Sequence, residues 1–241
     1  MKKLIVGVFF LIAGIISAQN EIVITLENID ELKVYNGLKV NLIKSEEQKV
    51  VITGEKAPQV TVKNKKGTLK IALNIASTFT SKIPKIDLYY NSNIAELDAN
   101  QGAIISSKEV FKQPQLNVSS QEGAYIKLEI EVDYLKAKSI TGGNIQLKGI
   151  AKSQNINLVS GSKYEAINLK TEQATLYVST GSKAEVSVTE ILDAKAKLGG
   201  VINFYDRPKS VTTTESMGGK INNVSKKVED KIEKALEETA E

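Results

Sequence analysis

Cysteine, histidine and tryptophan are all missing from the 241-residue sequence, and aromatic residues make up only 5% of it. Without cysteine there is no disulfide framework, no thiolate nucleophile, and no acylated cysteine of the kind that follows a bacterial lipoprotein signal. Without histidine there is no Ser-His or Cys-His nucleophile system, no imidazole base, and none of the usual zinc or iron ligand sets. Stability must rest on buried apolar surface, for which the chain is long enough. Arginine is nearly absent and the lysines are scattered. The formal charge of +4 falls to near +2 once Lys2 and Lys3 are set aside, so no nucleic-acid footprint is expected.

Long apolar runs are equally scarce, with one at the start and no second. Lys2 and Lys3 precede an uncharged core from Leu4 to Ile16, and Ser17-Ala18 close it with small residues. A core of 13 residues is short of the roughly 20 that a spanning helix needs, and polar sequence follows from Gln19. Residues 1–18 read as a secretory signal. The mature chain is expected to be exported, to the periplasm, the outer surface or the medium, with no transmembrane anchor.

Acidic chemistry is thinly represented. Asp87, Asp98, Asp133, Asp193 and Asp206 stand apart in the sequence, with neither the clustering that a glycosidase or lyase uses nor a calcium-loop spacing. Ser162-Lys163 and Ser182-Lys183 resemble nucleophile pairs, but sequence neighbours in a strand point to opposite faces, and the pair recurs at a repeat spacing. Repetition argues for a structural corner. Tyr89, Tyr90, Tyr125, Tyr134, Tyr164, Tyr177 and Tyr205 could offer flat platforms for sugars, but they have no fixed spacing and read as core or surface tyrosines. No catalytic, cofactor-binding or metal site is assigned, no cofactor is expected, and the chain is read as not an enzyme.

What is abundant is alternation. Leu38, Val40, Leu42; Val60, Val62; Leu69, Ile71, Leu73, Ile75; and Ile86, Leu88, Tyr90 follow a period of two, which means strands with one buried face. Gly37, Gly54, Pro58 and Gly67 mark the turns between them. From Leu97 a slower rhythm is added: Gly102, Gly123, Gly143, Gly161, Gly181, Gly200 and Gly219 are spaced by 21, 20, 18, 20, 19 and 19 residues. A fixed period near 20 with short strands in each period is the mark of a solenoid whose coils bury their apolar faces on one another. The glycines are placed at corners where a positive φ is required.

The expected fold is therefore all-β, a single-chain β-helix or solenoid with coils of roughly 20 residues. Ile126, Leu128, Ile130, Ile145, Leu147, Ile156, Leu158, Ile167, Leu169, Leu176, Val178, Val186 and Val188 are placed inward. Residues 19–95 form an N-terminal strand block, 96–222 the glycine-cornered repeats, and 223–241 a short amphipathic helix carrying Val224, Val228, Ile232, Ala235 and Leu236 at helical spacing. That helix is placed over the open end of the last coil, where a bare strand edge invites aggregation, and a partner-docking helix is its rival reading.

The alternating block Leu38-Lys39-Val40-Asn41-Leu42, Val50-Val51-Ile52 and Gly67-Thr68-Leu69-Lys70-Ile71, followed by the corners Val159-Ser160-Gly161-Ser162 and Val178-Ser179-Thr180-Gly181-Ser182, resembles the head GIN domain family over residues 29–222. The resemblance implies an exported bacterial protein with a β-helix-like fold, an adhesin label and no catalytic residues to carry over. The chain departs from the family pattern in its partial Gly-Ser-Gly corners and in showing no translocator barrel. A cell-envelope binding or adhesin-like module, taking an envelope glycan, polymer or protein, is the leading functional expectation. A periplasmic lipid or glycolipid carrier and a carbohydrate-active β-helix enzyme are the alternatives.

Overall fold

A period of two puts every second side chain on one face, and most of this chain can bury that face only by stacking strand on strand. In the computed structural model, which describes residues 21–74 and 83–225, the strands wind into a β-solenoid of about 7 turns. The segment 1–18, read as a signal, lies outside the described residues, as do Val228, Ile232, Ala235 and Leu236 of the expected C-terminal helix. Val224 and Ser225 are helical, but the preceding strand runs through Asn223, so the change of structure falls just after the position expected.

The chain opens with β1 Glu21–Thr25, and the first coil is β2 Glu31–Val34 with β3 Lys39–Lys44. Four strands then intrude, β4 Lys49–Thr53, β5 Val60–Lys65, β6 Thr68–Leu73 and β7 Lys85–Tyr90, with a 3-10 turn at Ala57–Gln59. The regular coils follow as β8 Glu96–Ala99, β9 Ile104–Lys112, β10 Gln115–Gln121, β11 Tyr125–Ile140, β12 Asn144–Val159, β13 Lys163–Val178 and β14 Lys183–Lys197. The last coils are β15 Val201–Tyr205, β16 Ser210–Ser216 and β17 Lys220–Asn223.

Two faces result. Face I carries β3, β9, the leading halves of β11 to β14, β15 and β17 in parallel register, and face II carries β2, β8, β10, the trailing halves of β11 to β14, and β16. At the N-terminal end β7, β4 and β1 extend face I and β6 and β5 extend face II. The pairs β1–β4, β4–β7 and β5–β6 are antiparallel, so the end of the solenoid is covered by hairpin-like strands. Each strand from β11 to β14 serves both faces by bending at mid-length.

At the other edge, two consecutive left-handed residues turn face II back into face I. Ser160-Gly161 have φ of 61° and 72°, and Thr180-Gly181 have 53° and 70°, which is the conformation of a type I′ turn. The turns stack. The Gly161 N–H donates to the Thr180 carbonyl at 3.0 Å, and the Gly181 N–H donates to the Leu198 carbonyl at 3.1 Å, part of a ladder that starts with Gly37 on Gln101. The glycine repeat is corrected here in three coils. Gly142, Gly199 and Gly218 have the positive φ, whereas Gly143, Gly200 and Gly219, taken as the repeat members above, lie one residue beyond the turn.

Twelve of the thirteen side chains placed inward are at most 2% exposed. Ile167 is the exception at 40%, for a reason that belongs to the groove described below. Among the apolar residues of β12 and β13 a polar cluster is buried. The Tyr164 hydroxyl donates to Gln154 Oε1 at 2.7 Å, and Gln154 Nε2 donates to Thr171 Oγ1 at 3.1 Å. Satisfied in this way, the groups avoid the penalty of an unpaired buried dipole and fix how β12 sits on β13.

Candidate binding groove

The structure places the members of each Ser-Lys pair apart. Ser162 is fully buried and its Oγ donates to the Val159 carbonyl at 2.7 Å, while Lys163 is exposed. Ser182 is also fully buried and accepts from the Ser162 N–H at 3.1 Å, while Lys183 pairs with Glu185 at 2.7 Å. The serines are fastenings beneath the corner. The isolated aspartates stay apart as well: Asp133 pairs with Lys152 and Asp193 with Lys195, at different places on the surface. Among the described residues no group of three or more His, Cys, Asp or Glu could hold a metal ion.

The register breaks at two places on face I, beside β9 and within β13, and β13 shifts once more against β14 at the bend, between Thr171 and Gln173. Along β9 and β11, Ser106 pairs with Lys127 and Val110 with Glu129, so Ser107–Glu109 stand opposite the single residue Leu128. This bulge is tied down, since Ser107 Oγ donates to the Leu42 carbonyl at 3.1 Å and Glu109 accepts from the Lys44 N–H at 3.1 Å. Along β12 and β13, Gln146 pairs with Glu165 and Gly149 with Leu169, which leaves one extra residue in β13. Against β14 the mismatch is larger, because Ala166 pairs with Val186 and Lys170 with Ser187. The surplus leaves Ile167 and Asn168 both outward between the buried Ala166 and Leu169, and that is why Ile167 is exposed where alternation counted back from Leu169 would bury it.

Gly149 makes this second bulge possible. Its φ is +111°, and a Cβ there would lie 2.1 Å from the Ile130 carbonyl oxygen, so β12 approaches β11 more closely than any other residue would permit. An isolated glycine inside an otherwise regular strand was the available sequence signal. It falls outside the glycine rhythm.

Between the two bulges lies a groove of about 590 Å³ on the outside of face I, bordered by residues from β9, β11, β12, β13 and β14. Its floor is a row of outward side chains in register, Lys127, Gln146, Glu165 and Glu185. Gln146 is held from two sides: Tyr125 Oη donates to its Oε1 at 2.5 Å, and its Nε2 donates to Glu165 at 3.3 Å. Burial, and then the nearby charge of Glu165, push the Tyr125 phenol above its usual pKa, which keeps it a donor. Lys148 pairs with Glu129 at 2.6 Å beside this row. The structure thus brings Glu165 and Glu185 onto neighbouring strands, which the sequence, with the two 20 residues apart, did not show as a cluster. Of the tyrosines, Tyr164 is core, Tyr134 is 61% exposed on face II, and Tyr125 borders the groove floor.

The described residues thus form a two-faced parallel solenoid with an anchored groove on one outer face. The chain belongs to the family described as putative auto-transporter adhesin, head GIN domain, whose sequence model matches residues 28–208. Its fold is shared by a putative adhesin from Bacteroides fragilis NCTC 9343, with a TM-score of 0.72 and 14% identity over 86% of this chain and 98% of that one. A putative lipid binding protein from Parabacteroides distasonis ATCC 8503 is similar at a TM-score of 0.69 and 17% identity, over 86% of this chain and 96% of that one. A putative adhesin from the same strain matches at a TM-score of 0.65 and 20% identity, over 84% of this chain and 95% of that one. No curated protein matches the chain in sequence.

Proposed function

We propose that this protein is a non-enzymatic, exported binding module of the cell envelope, adhesin-like in role, and that the face I groove holds its partner. The observation that carries the reading is the pair of register breaks on one face, which wall off a row of outward side chains already fixed by their own hydrogen bonds. Preorganised polar groups in a shallow groove favour recognition, because little side-chain freedom is lost on binding. The two carboxylates at the floor are each engaged by donors, Glu165 by Gln146 and Glu185 by Lys183 and Asn203. Catalytic pairs instead set one carboxyl in apolar surroundings so that it stays protonated. Export is supported by the apolar run at Leu4 to Ile16 and by the family's label, and no helix among the described residues is long and apolar enough to cross a membrane.

The experiment is a sedimentation assay of purified protein with isolated envelope fractions, comparing wild type, Gln146→Ala with Ile167→Ser on face I, and Lys136→Ala on face II. Loss of co-sedimentation in the face I variant alone supports the reading, and equal binding by all three overturns it. The lipid-carrier reading is favoured by one observation, a hollow of about 500 Å³ at the bend edge where Ile150 is 53% exposed beside Val132. The space between the faces is filled by core side chains, so a lipid would have to sit on that outer edge. Native mass spectrometry of the purified protein, read for a retained acyl lipid, decides between the two.

A further inference from the structure

We propose that the face I groove recognises an uncharged glycan lying along the solenoid axis, so that successive sugar units meet successive coils. This deepens the binding-module reading and rests on it. Three properties of the groove favour such a ligand.

The first is charge. Lys108, Lys127 and Lys148 are matched by Glu129, Glu165 and Glu185, three against three, so the groove has no net formal charge. An anionic ligand would have to lie against three carboxylates and a cationic one against three ammonium groups, with the Lys148–Glu129 pair to be broken in either case. A ligand made of hydroxyl groups donates to the carboxylates and amide oxygens and accepts from the ammonium and amide nitrogens, and it leaves the pairs intact. Like-charge juxtaposition thereby becomes a filter against charged polymers.

The second is the fixed amide. Gln146 is oriented by Tyr125 and Glu165, so its free valences point the same way in every molecule, as recognition of one hydroxyl pattern requires. Ile167, pushed outward by the bulge and 40% exposed, adds an apolar wall against which the C–H face of a sugar ring can pack.

The third is dimension. Neighbouring strands are about 4.8 Å apart, so the groove, which crosses from β9 to β14, runs about 19 Å along the axis. Its side chains repeat at that short interval, which is comparable with the length of one pyranose in an extended chain. The groove then accommodates a short run of sugars, not a single one.

The test uses the full-length mature protein in isothermal titration with three sets of probes: neutral oligosaccharides of increasing length from β-glucan, mannan and xylan; acidic oligogalacturonides; and lysine-rich peptides. The expected result is binding to a neutral set that strengthens with chain length and then levels off, and that is insensitive to added salt. Gln146→Ala is expected to weaken it about tenfold, in line with the loss of one well-placed hydrogen-bonding group. Ile167→Ser weakens it too, while Lys136→Ala on face II leaves it unchanged. Both groove variants alter outward side chains, and unchanged melting confirms that they fold. Binding confined to the acidic or the peptide probes overturns the glycan assignment. If no neutral glycan binds but the groove variants still lose envelope binding, the glycan assignment fails and the binding-module reading stands. If envelope binding survives the variants, both fall.

Discussion

Gly143 lies against the backbone of the coil before it: a Cβ added there would stand 2.2 Å from the Ser120 carbonyl oxygen. Its neighbour Gly142 has the positive φ yet nothing within 4 Å, and the same is true of Gly161. The corner therefore uses glycine for two separate reasons, backbone conformation at one position and closeness of approach at the next. Gly161→Ala is expected to lower stability by about 1 kcal/mol and Gly161→Val by about 1–3 kcal/mol, through strain alone. Gly143→Ala, at an ordinary φ, is expected to exceed Gly161→Ala, because backbone must move to admit the methyl group. Ser162→Ala, which removes one buried hydrogen bond, is expected to lie near 1 kcal/mol. Urea unfolding of the four variants ranks them, and Gly143→Ala with wild-type stability would contradict the close packing.

Leu158 and Val178 are fully buried and stacked in register on β12 and β13. An aspartate at either site would be an unpaired charge inside a core shared by all the coils, and the loss is expected to be several kcal/mol. Circular dichroism and limited proteolysis should report collapse of the whole solenoid, not local fraying.

Alkaline pH should loosen the molecule in a way that identifies Tyr164. Burial pushes its phenol up, and burial followed by the charge of Glu109 pushes that of Tyr90 up to about 12. In the unfolded chain tyrosine titrates near pH 10. The folded state thus favours the neutral phenol, and the stabilisation is fully present below about pH 10 and lost as the pH rises through the folded-state values. The urea midpoint is expected to fall above about pH 10, and less steeply in Tyr164→Phe. That variant also leaves Gln154 Oε1 without its donor, at about 1–3 kcal/mol at neutral pH.

Deleting Asn168 should separate the groove from the fold. It removes the residue that β13 has in excess over β12, so that Ile167 becomes the single outward residue between the buried Ala166 and Leu169 and the bulge that borders the groove is flattened. Circular dichroism is expected to stay close to wild type while envelope binding falls as it does in the Gln146→Ala and Ile167→Ser variant.

Much of this architecture was legible in the sequence because alternation and turn chemistry are local. Leu158, Val178 and their neighbours could be placed inward from period two alone, and Ser160-Gly161 and Thr180-Gly181 from the turn residues. In Gly142-Gly143 nothing local distinguishes the left-handed glycine from the crowded one, since the crowding comes from Ser120 in another coil. Gly37 was visible as a break but not as the first member of the corner ladder, because its partner Gln101 is far along the chain. Ile167 was misplaced because one inserted residue inverts the alternation without altering composition. The groove was hidden for the same reason, as it exists only where coils of unequal length are laid side by side.

The first coil has an unusual partner in time. The side chains of Asn36 and Gln101 are bonded across 65 residues, whereas Gly142 meets the Ser160 carbonyl in the very next coil. Closing the longer loop costs only about 1 kcal/mol more, but the chain must be present before it can close. A polypeptide that emerges from its N-terminus can pair β2 with β6 and β3 with β7 early, but the side of the first coil that faces the regular coils stays open until β8 and β9 arrive. The later coils each find a neighbour as soon as they are complete. The strands that emerge first therefore close on the intruding strands on one side and wait on the other, so the join between the N-terminal block and the regular coils is the contact that forms across the longest stretch of chain.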